Sequence, residues 1–147
     1  MAQTSISHVE ISLFAHATEN EEKVLGAVQN IIPSEYREKI TFSRDRLKGE
    51  YGNPITFLKT QIRNEKIADA LLRNISLNLT TLDKENLLQE LDLRLQKGNL
   101  YIRLDKQAAF LGKIKLLSAD PIHICIRFKT SKIEEIKEKC REIGLLP

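Results

Sequence analysis

Tryptophan is absent from this chain, and aromatic residues make up only 5% of its 147 positions. The interior must therefore be filled by isoleucine, leucine and valine. Only two cysteines occur, Cys125 and Cys140, and they lack CxxC spacing. That removes the zinc-ribbon and redox-motif readings and leaves reduced thiols as the simplest one, with a disulfide or metal role as the alternatives. No apolar run approaches the roughly 20 residues of a membrane-spanning helix, and the first residues do not read as a secretion signal. A cytoplasmic protein is expected. There is no P-loop and no nucleophile motif, and the three histidines form no metal-ligand spacing. Neither sign of charge dominates: 23 lysines and arginines stand against 20 carboxylates, a net charge of +3. Such a balance does not by itself select a nucleic acid as partner.

What is present is clear apolar periodicity. A first strand is expected over Ile6 to Ala15, with Val9, Ile11, Leu13 and Ala15 inward and His8, Glu10, Ser12 and Phe14 outward. Thr18 and Glu21 have the spacing of a capping box for a helix that Pro33 ends. A second strand over Lys39 to Lys48 places Arg44, Arg46 and Lys48 on one side. Gly49 to Pro54 makes a turn, and a third strand follows over Ile55 to Arg63, with a bulge suggested near Phe57. Two helices then begin at Asn64 and Asp83, and Leu82 and Leu87 are spaced as a hydrophobic staple for the second. Lys97-Gly98-Asn99 reads as a helix stop and turn. Strands over Leu100 to Asp105, near Lys113 to Leu117 and over Ile122 to Phe128 precede a last helix, which starts at Ser131 with Glu134 as its box partner. This order predicts an α+β fold, an antiparallel or mixed sheet with helices packed on one face. No linker or repeat divides it, so residues 1–147 are expected to form one domain.

The densest polar information lies at Leu100 to Gly112. There the strand alternation breaks into Asp105-Lys106-Gln107 beside Ala108 and Ala109. Phe14-Ala15-His16-Ala17-Thr18-Glu19 and Gly49-Glu50-Tyr51-Gly52-Asn53-Pro54-Ile55 are equally unusual. Together the three segments resemble the signature of a family of small archaeal proteins predicted to bind RNA and to associate with the exosome. The family's fold is similar to that of the ribosomal protein that contacts 5S RNA. The resemblance runs from about Ile6 to Phe128 and implies a non-catalytic RNA-binding domain, an accessory factor of the exosome, the ribosome or RNA processing. One departure is Glu50, where the family often carries a histidine or an aromatic residue; a carboxylate there repels phosphate.

The residues themselves fit that implication. Arg44, Arg46, Lys48, Arg103, Lys106, Arg127 and Lys129 offer cations to phosphates, and Tyr51 and Tyr101 offer rings to unpaired bases. Gln107 can meet a base edge or a 2′-hydroxyl, the turn that holds Asn53 can offer backbone N–H groups to a ligand or serve only as a tight turn, and His16 can meet phosphate near a helix start or bond to a neighbouring loop. Asp105 suits none of these contacts and is expected to support the loop, paired with Arg103 or Lys106 or accepting backbone N–H bonds. The same alternation of charge also fits a merely solvated face. A protein adaptor without RNA contact remains an alternative, and a ribonuclease built on His16, Asp105 and Lys106 a lesser one. No cofactor or metal is expected.

Overall fold

A computed structural model describes residues 6–49, 52–117 and 119–147. Its elements follow the order β1 (Ile6–Ala15), α1 (Glu21–Gln29), a 3-10 segment (Ser34–Lys39), β2 (Ser43–Lys48) and β3 (Pro54–Ile62). Then come α2 (Glu65–Asn78), α3 (Thr81–Gln89), α4 (Leu91–Arg94), β4 (Leu95–Gln96), β5 (Asn99–Asp105), α5 (Lys106–Phe110), β6 (Pro121–Phe128) and α6 (Ile133–Ile143).

Period-two apolarity decides the sheet. Val9, Ile11 and Leu13 of β1, Leu100, Ile102 and Leu104 of β5, and Ile122, Ile124, Ile126 and Phe128 of β6 are all buried, while the residues between them are half-buried or exposed. Every pairing is antiparallel, and the strand order is β2-β3-β1-β6-β5-β4. The helices cover one face. Leu71, Leu72 and Ile75 of α2, Val24 and Val28 of α1, and Ile136 and Cys140 of α6 join the inward strand residues in one apolar cluster. A fully buried Leu or Ile contributes roughly 1.5–3 kcal/mol, so this shared layer is the main source of stability. Leu145 and Leu146, just past the Gly144 cap of α6, are buried in it as well.

The α+β architecture agrees with the sequence reading, but several boundaries differ, each for a local reason. The cap of α1 is Asn20, whose side chain accepts from the Lys23 N–H at 3.2 Å, and not Thr18. α3 starts one turn earlier than expected, capped by Thr80 and not by Asp83, which leaves Leu82 exposed and the staple unformed. The Ser131 box is also absent: Thr130 Oγ1 accepts the Lys132 N–H at 3.1 Å. β2 begins only at Ser43: Ser34–Lys39 wind as a 3-10 segment, and residues 40–42 after it pair with no strand. No bulge interrupts β3, whose register with β1 is continuous from Val9↔Ile62 to Ala15↔Thr56. Thr56 and Thr60 occupy inward positions, so polarity loses the alternation while geometry keeps it. The irregularity lies in β1 instead, between Ile6 and His8. The expected strand at 113–117 is reduced to a single Leu104↔Leu116 bridge.

The expected turn at Lys97-Gly98 is the turn of the β4–β5 hairpin. Both residues have positive φ, 49° and 85°, as a two-residue turn with the twist of the strands requires. A Cβ on Gly98 would also lie 2.8 Å from the Thr130 carbonyl oxygen. Gly98→Ala is expected to destabilise the protein by about 1–3 kcal/mol in urea unfolding, through strain and displacement of that carbonyl.

Candidate nucleic-acid interface

The sheet's uncovered face carries rows of side chains whose order follows from the register. Asn99, Arg127 and His8 form one row across β5, β6 and β1, followed by Tyr101, Cys125 and Glu10, then Arg103, His123 and Ser12. Lys59 of β3 continues the last row and forms an ion pair with Glu10 at 3.3 Å. Further along, Phe14 and Phe57 sit side by side with ring centroids 5.1 Å apart. Tyr101 is 42% exposed. Two guanidiniums, two imidazoles and a tyrosine thus crowd the β1-β6-β5 half, with Glu10 as the carboxylate among them.

The imidazoles register that concentration of positive charge. Burial and then the Arg103 charge hold His123 below its ordinary pKa of 6.5, with Asp120 opposing. Burial, Arg63 and Arg127 hold His8 down in the same way, against Glu10. Arg127 also donates to the Lys97 carbonyl at 3.0 Å, which fixes its direction beside the hairpin turn. Lys129, one residue past β6 and in the same strand phase as Arg127, is exposed. Cys125 lies on this face with its pKa raised, first by burial, whereas Cys140 lies in the core with its pKa raised to about 12 by burial. The sheet separates the two thiols.

A second polar cluster lies at the end of β1. The Lys106 side chain is 1% exposed, and its ammonium donates to the Phe14 carbonyl at 3.0 Å and to Glu19 Oε1 at 2.9 Å. It also lies 2.7 Å from Asp120 Oδ2, while His16 Nε2 donates to Asp120 Oδ1 at 3.0 Å. Glu19 additionally accepts the His16 backbone N–H. The ligating atoms of His16, Glu19 and Asp120 lie within 4.8 Å of one another, a spacing that suits a cation. The ammonium of Lys106 already fills that role. Burial raises the Asp120 pKa, but the bonds and charges of Lys106 and His16 outweigh it and hold the carboxyl below its usual value.

These positions correct the sequence reading in several places. Lys106 is a buried anchor and is not available to phosphate. His16 and Lys106 do converge, but on Asp120 and Glu19 and not on Asp105, so the acid–base set considered for a nuclease does not assemble as expected. Asp105 supports its loop by accepting the Gln107 N–H at 3.0 Å, as the cap of α5. Gln107 lies off the open face, lining an apolar cavity of about 690 Å³ with Leu82, Leu111 and Ile114. Arg44 and Arg46 sit opposite Leu58 and Thr56, on the helix side of β2. There Arg44 meets Glu21 at 3.2 Å and Glu22 at 3.4 Å, and Arg46 meets Glu21 at 3.8 Å, so the acidic first turn of α1 offsets them. Lys48 shares that side, opposite Pro54. Asn53 is exposed in the turn, away from the β5–β6 rows. Tyr51 and Glu50 lie outside the described residues. His123 takes the outward place that its strand phase predicts, whereas His8, Lys59, Phe14 and Phe57 are candidate site residues that the sequence reading does not assign to this surface, although their outward strand phase is the signal that finds them.

A family model described as RNA binding matches residues 8–128. The chain is 33% identical over 140 residues to an RNA-binding protein of Pyrococcus abyssi, covering 92% of this chain and 91% of that one. A DUF54 protein of Archaeglobus fulgidus superposes with a TM-score of 0.80 at 32% identity, covering 95% of this chain and 99% of the other. A DUF54 protein of Methanothermobacter thermautotrophicus gives 0.75 at 31% identity, over 94% and 97% of the two chains. The chain belongs to this RNA-binding family.

Two measurements check the anchor. Lys106→Met removes a buried ammonium and leaves Glu19 and the Phe14 carbonyl without their donor; a loss of about 2–4 kcal/mol in urea unfolding is expected. Asp120 has a depressed folded pKa, so its contribution is full above its unfolded value of 3.8 and disappears as pH falls through the lower folded value. The stability gap between the parent and Asp120→Asn is therefore expected to be widest near neutral pH and to close only below about pH 4.

Proposed function

We propose that this chain is a non-catalytic RNA-binding protein that takes unpaired RNA on the open face of its sheet. The observation that carries the reading is the Arg103–His123 and Arg127–His8 rows flanking Tyr101 across three adjacent strands. Guanidiniums offer paired N–H donors to phosphate, and exposed rings give unpaired bases a surface on which to stack. An antiparallel sheet with one face not covered by helices presents both along a strand of RNA. Lys129 extends the track beyond β6, and Phe14 with Phe57 gives a second apolar platform beyond Lys59. The family's name and that of its Pyrococcus abyssi member support RNA as the ligand. The wider role is that of a cytoplasmic accessory factor in RNA processing, at the exosome or the ribosome.

Filter binding of a single-stranded RNA over a range of salt concentrations tests this directly. Arg103→Ala with Arg127→Ala should weaken binding to all sequences and reduce the salt slope by about 0.7 for each phosphate that is no longer neutralised. Tyr101→Ala should cost about 1–3 kcal/mol of affinity with the slope unchanged. Because the pKa values of His8 and His123 are lowered, first by burial, bound phosphate favours their protonation, and affinity should rise as pH falls below the ordinary 6.5. Binding that ignores salt and survives these substitutions would instead favour an adaptor that meets a protein.

A further inference from the structure

Beside β2 the sheet opens into a cleft that meets the open-face rows at Lys59. The β2–β3 register ends at Ser43↔Lys59; continued, it would set Thr41 opposite Gln61. The chain diverges there for a definite reason. Thr60 Oγ1 donates to the Thr41 carbonyl at 2.8 Å, and Ser43 Oγ donates to the Lys59 carbonyl at 3.1 Å. Hydroxyls thus stand in for ladder bonds, while Ile40 and Phe42 pack against the core and hold the segment in place. Between residues 39–43 and 59–64 lies a cavity of about 570 Å³.

Its walls combine charge with hydrogen-bonding capacity. Lys39, Lys59 and Arg63 line it together with Thr41 and Gln61. Lys59 is shared with Glu10, and the Lys39 ammonium lies 5.8 Å from the centre of the Tyr36 ring. Residues two apart in a strand direct their backbone groups to the same edge. The Lys59 carbonyl faces β2, so the Gln61 N–H and C=O face the cleft, where no strand residue among the described residues is paired with them. The volume lies within the roughly 300–1,000 Å³ of small-molecule sites and exceeds what an isolated phosphate would fill. We infer that this cleft is a nucleotide subsite: Lys39 and Arg63 hold a phosphate while the Gln61 backbone and amide meet the edge of its base.

The inference deepens the RNA-binding reading and rests on it for the source of the nucleotide, one residue of a bound single strand. Arg63 links the two surfaces, since its charge already reaches His8 on the open face. Acidic neighbours of the lining residues include Glu10, engaged by Lys59, Glu38, next to Lys39 in the chain, and Glu65 in the first turn of α2, whose cap Asn64 is occupied by the Ile67 N–H.

Titration of the whole chain with adenosine 5′-monophosphate, followed by the backbone amide signals of Thr41, Gln61 and Arg63, tests the subsite. Adenosine and inorganic phosphate serve as separate probes. The nucleotide should shift these signals well beyond either fragment at equal concentration. Lys39→Ala with Arg63→Ala should abolish the shift and lower the affinity of a single-stranded RNA roughly tenfold or more, at an unchanged melting temperature. Inorganic phosphate matching the nucleotide would mark a plain anion site and overturn the inference, as would a double variant that binds RNA like the parent. The Arg103→Ala, Arg127→Ala protein separates the two ideas. If it loses RNA while the cleft variant keeps it, the open face stands and the subsite falls. If it keeps RNA while the cleft variant loses it, the open-face reading fails and the subsite stands.

Discussion

An ammonium removed from water has to be met by oxygen, and Lys106 shows how much structure that need can organise. With 1% of its side chain exposed, it takes oxygens from the end of β1, the loop before α1 and the loop before β6. Two stretches far apart in the chain, residues 14–19 and the loop holding Asp120, therefore meet at the nitrogen of Lys106. Isolated, that charge would cost several kcal/mol to bury, so the segments cannot part independently. The anchor stands where β5 passes into α5, directly after the strand that carries Tyr101 and Arg103. It ties that end of β5 to the end of β1 and to the loop leading into β6, and so supports the alignment of the basic rows.

The two layers divide the remaining work. Most of the carboxylates sit on the helices and the 3-10 segment, where several pair with nearby lysines and arginines. On β2 the acidic start of α1 offsets Arg44 and Arg46. The β5–β6 half of the sheet is different. Its arginines stand next to imidazoles whose pKa values are lowered, first by burial and then by neighbouring arginines, a local concentration of positive charge that the net +3 conceals. Affinity for a polyanion depends on this local arrangement more than on the total.

The strands whose inward positions are aliphatic are legible in the sequence. β1, β5 and β6 can be read almost to the residue, and so can the apolar stripe of α2. Where a threonine takes an inward position, as at Thr56 and Thr60, polarity misreports the face and suggests a bulge that does not exist. Caps shift for a similar reason, since Thr80 and Asp83 compete for the same helix and only tertiary packing chooses. The site is half legible. Tyr101, Arg103, Arg127 and Lys129 announce themselves by strand phase. Lys106 is misread because a charged residue after a strand looks solvent-facing. Its partners Phe14 and Glu19 lie 92 and 87 residues away, and its third, Asp120, belongs to the loop before β6. No local pattern reveals such bonds.

The central claim is that RNA lies on the bare face of the sheet and not on the helical layer. Ultraviolet cross-linking of a single-stranded RNA containing 4-thiouridine, with the attached peptides identified by mass spectrometry, addresses it without altering the protein. Cross-links concentrated in the β5 and β6 peptides, at Tyr101 and Cys125 above all, are the predicted result. Cross-links confined to α2, α3 and α6 would contradict it.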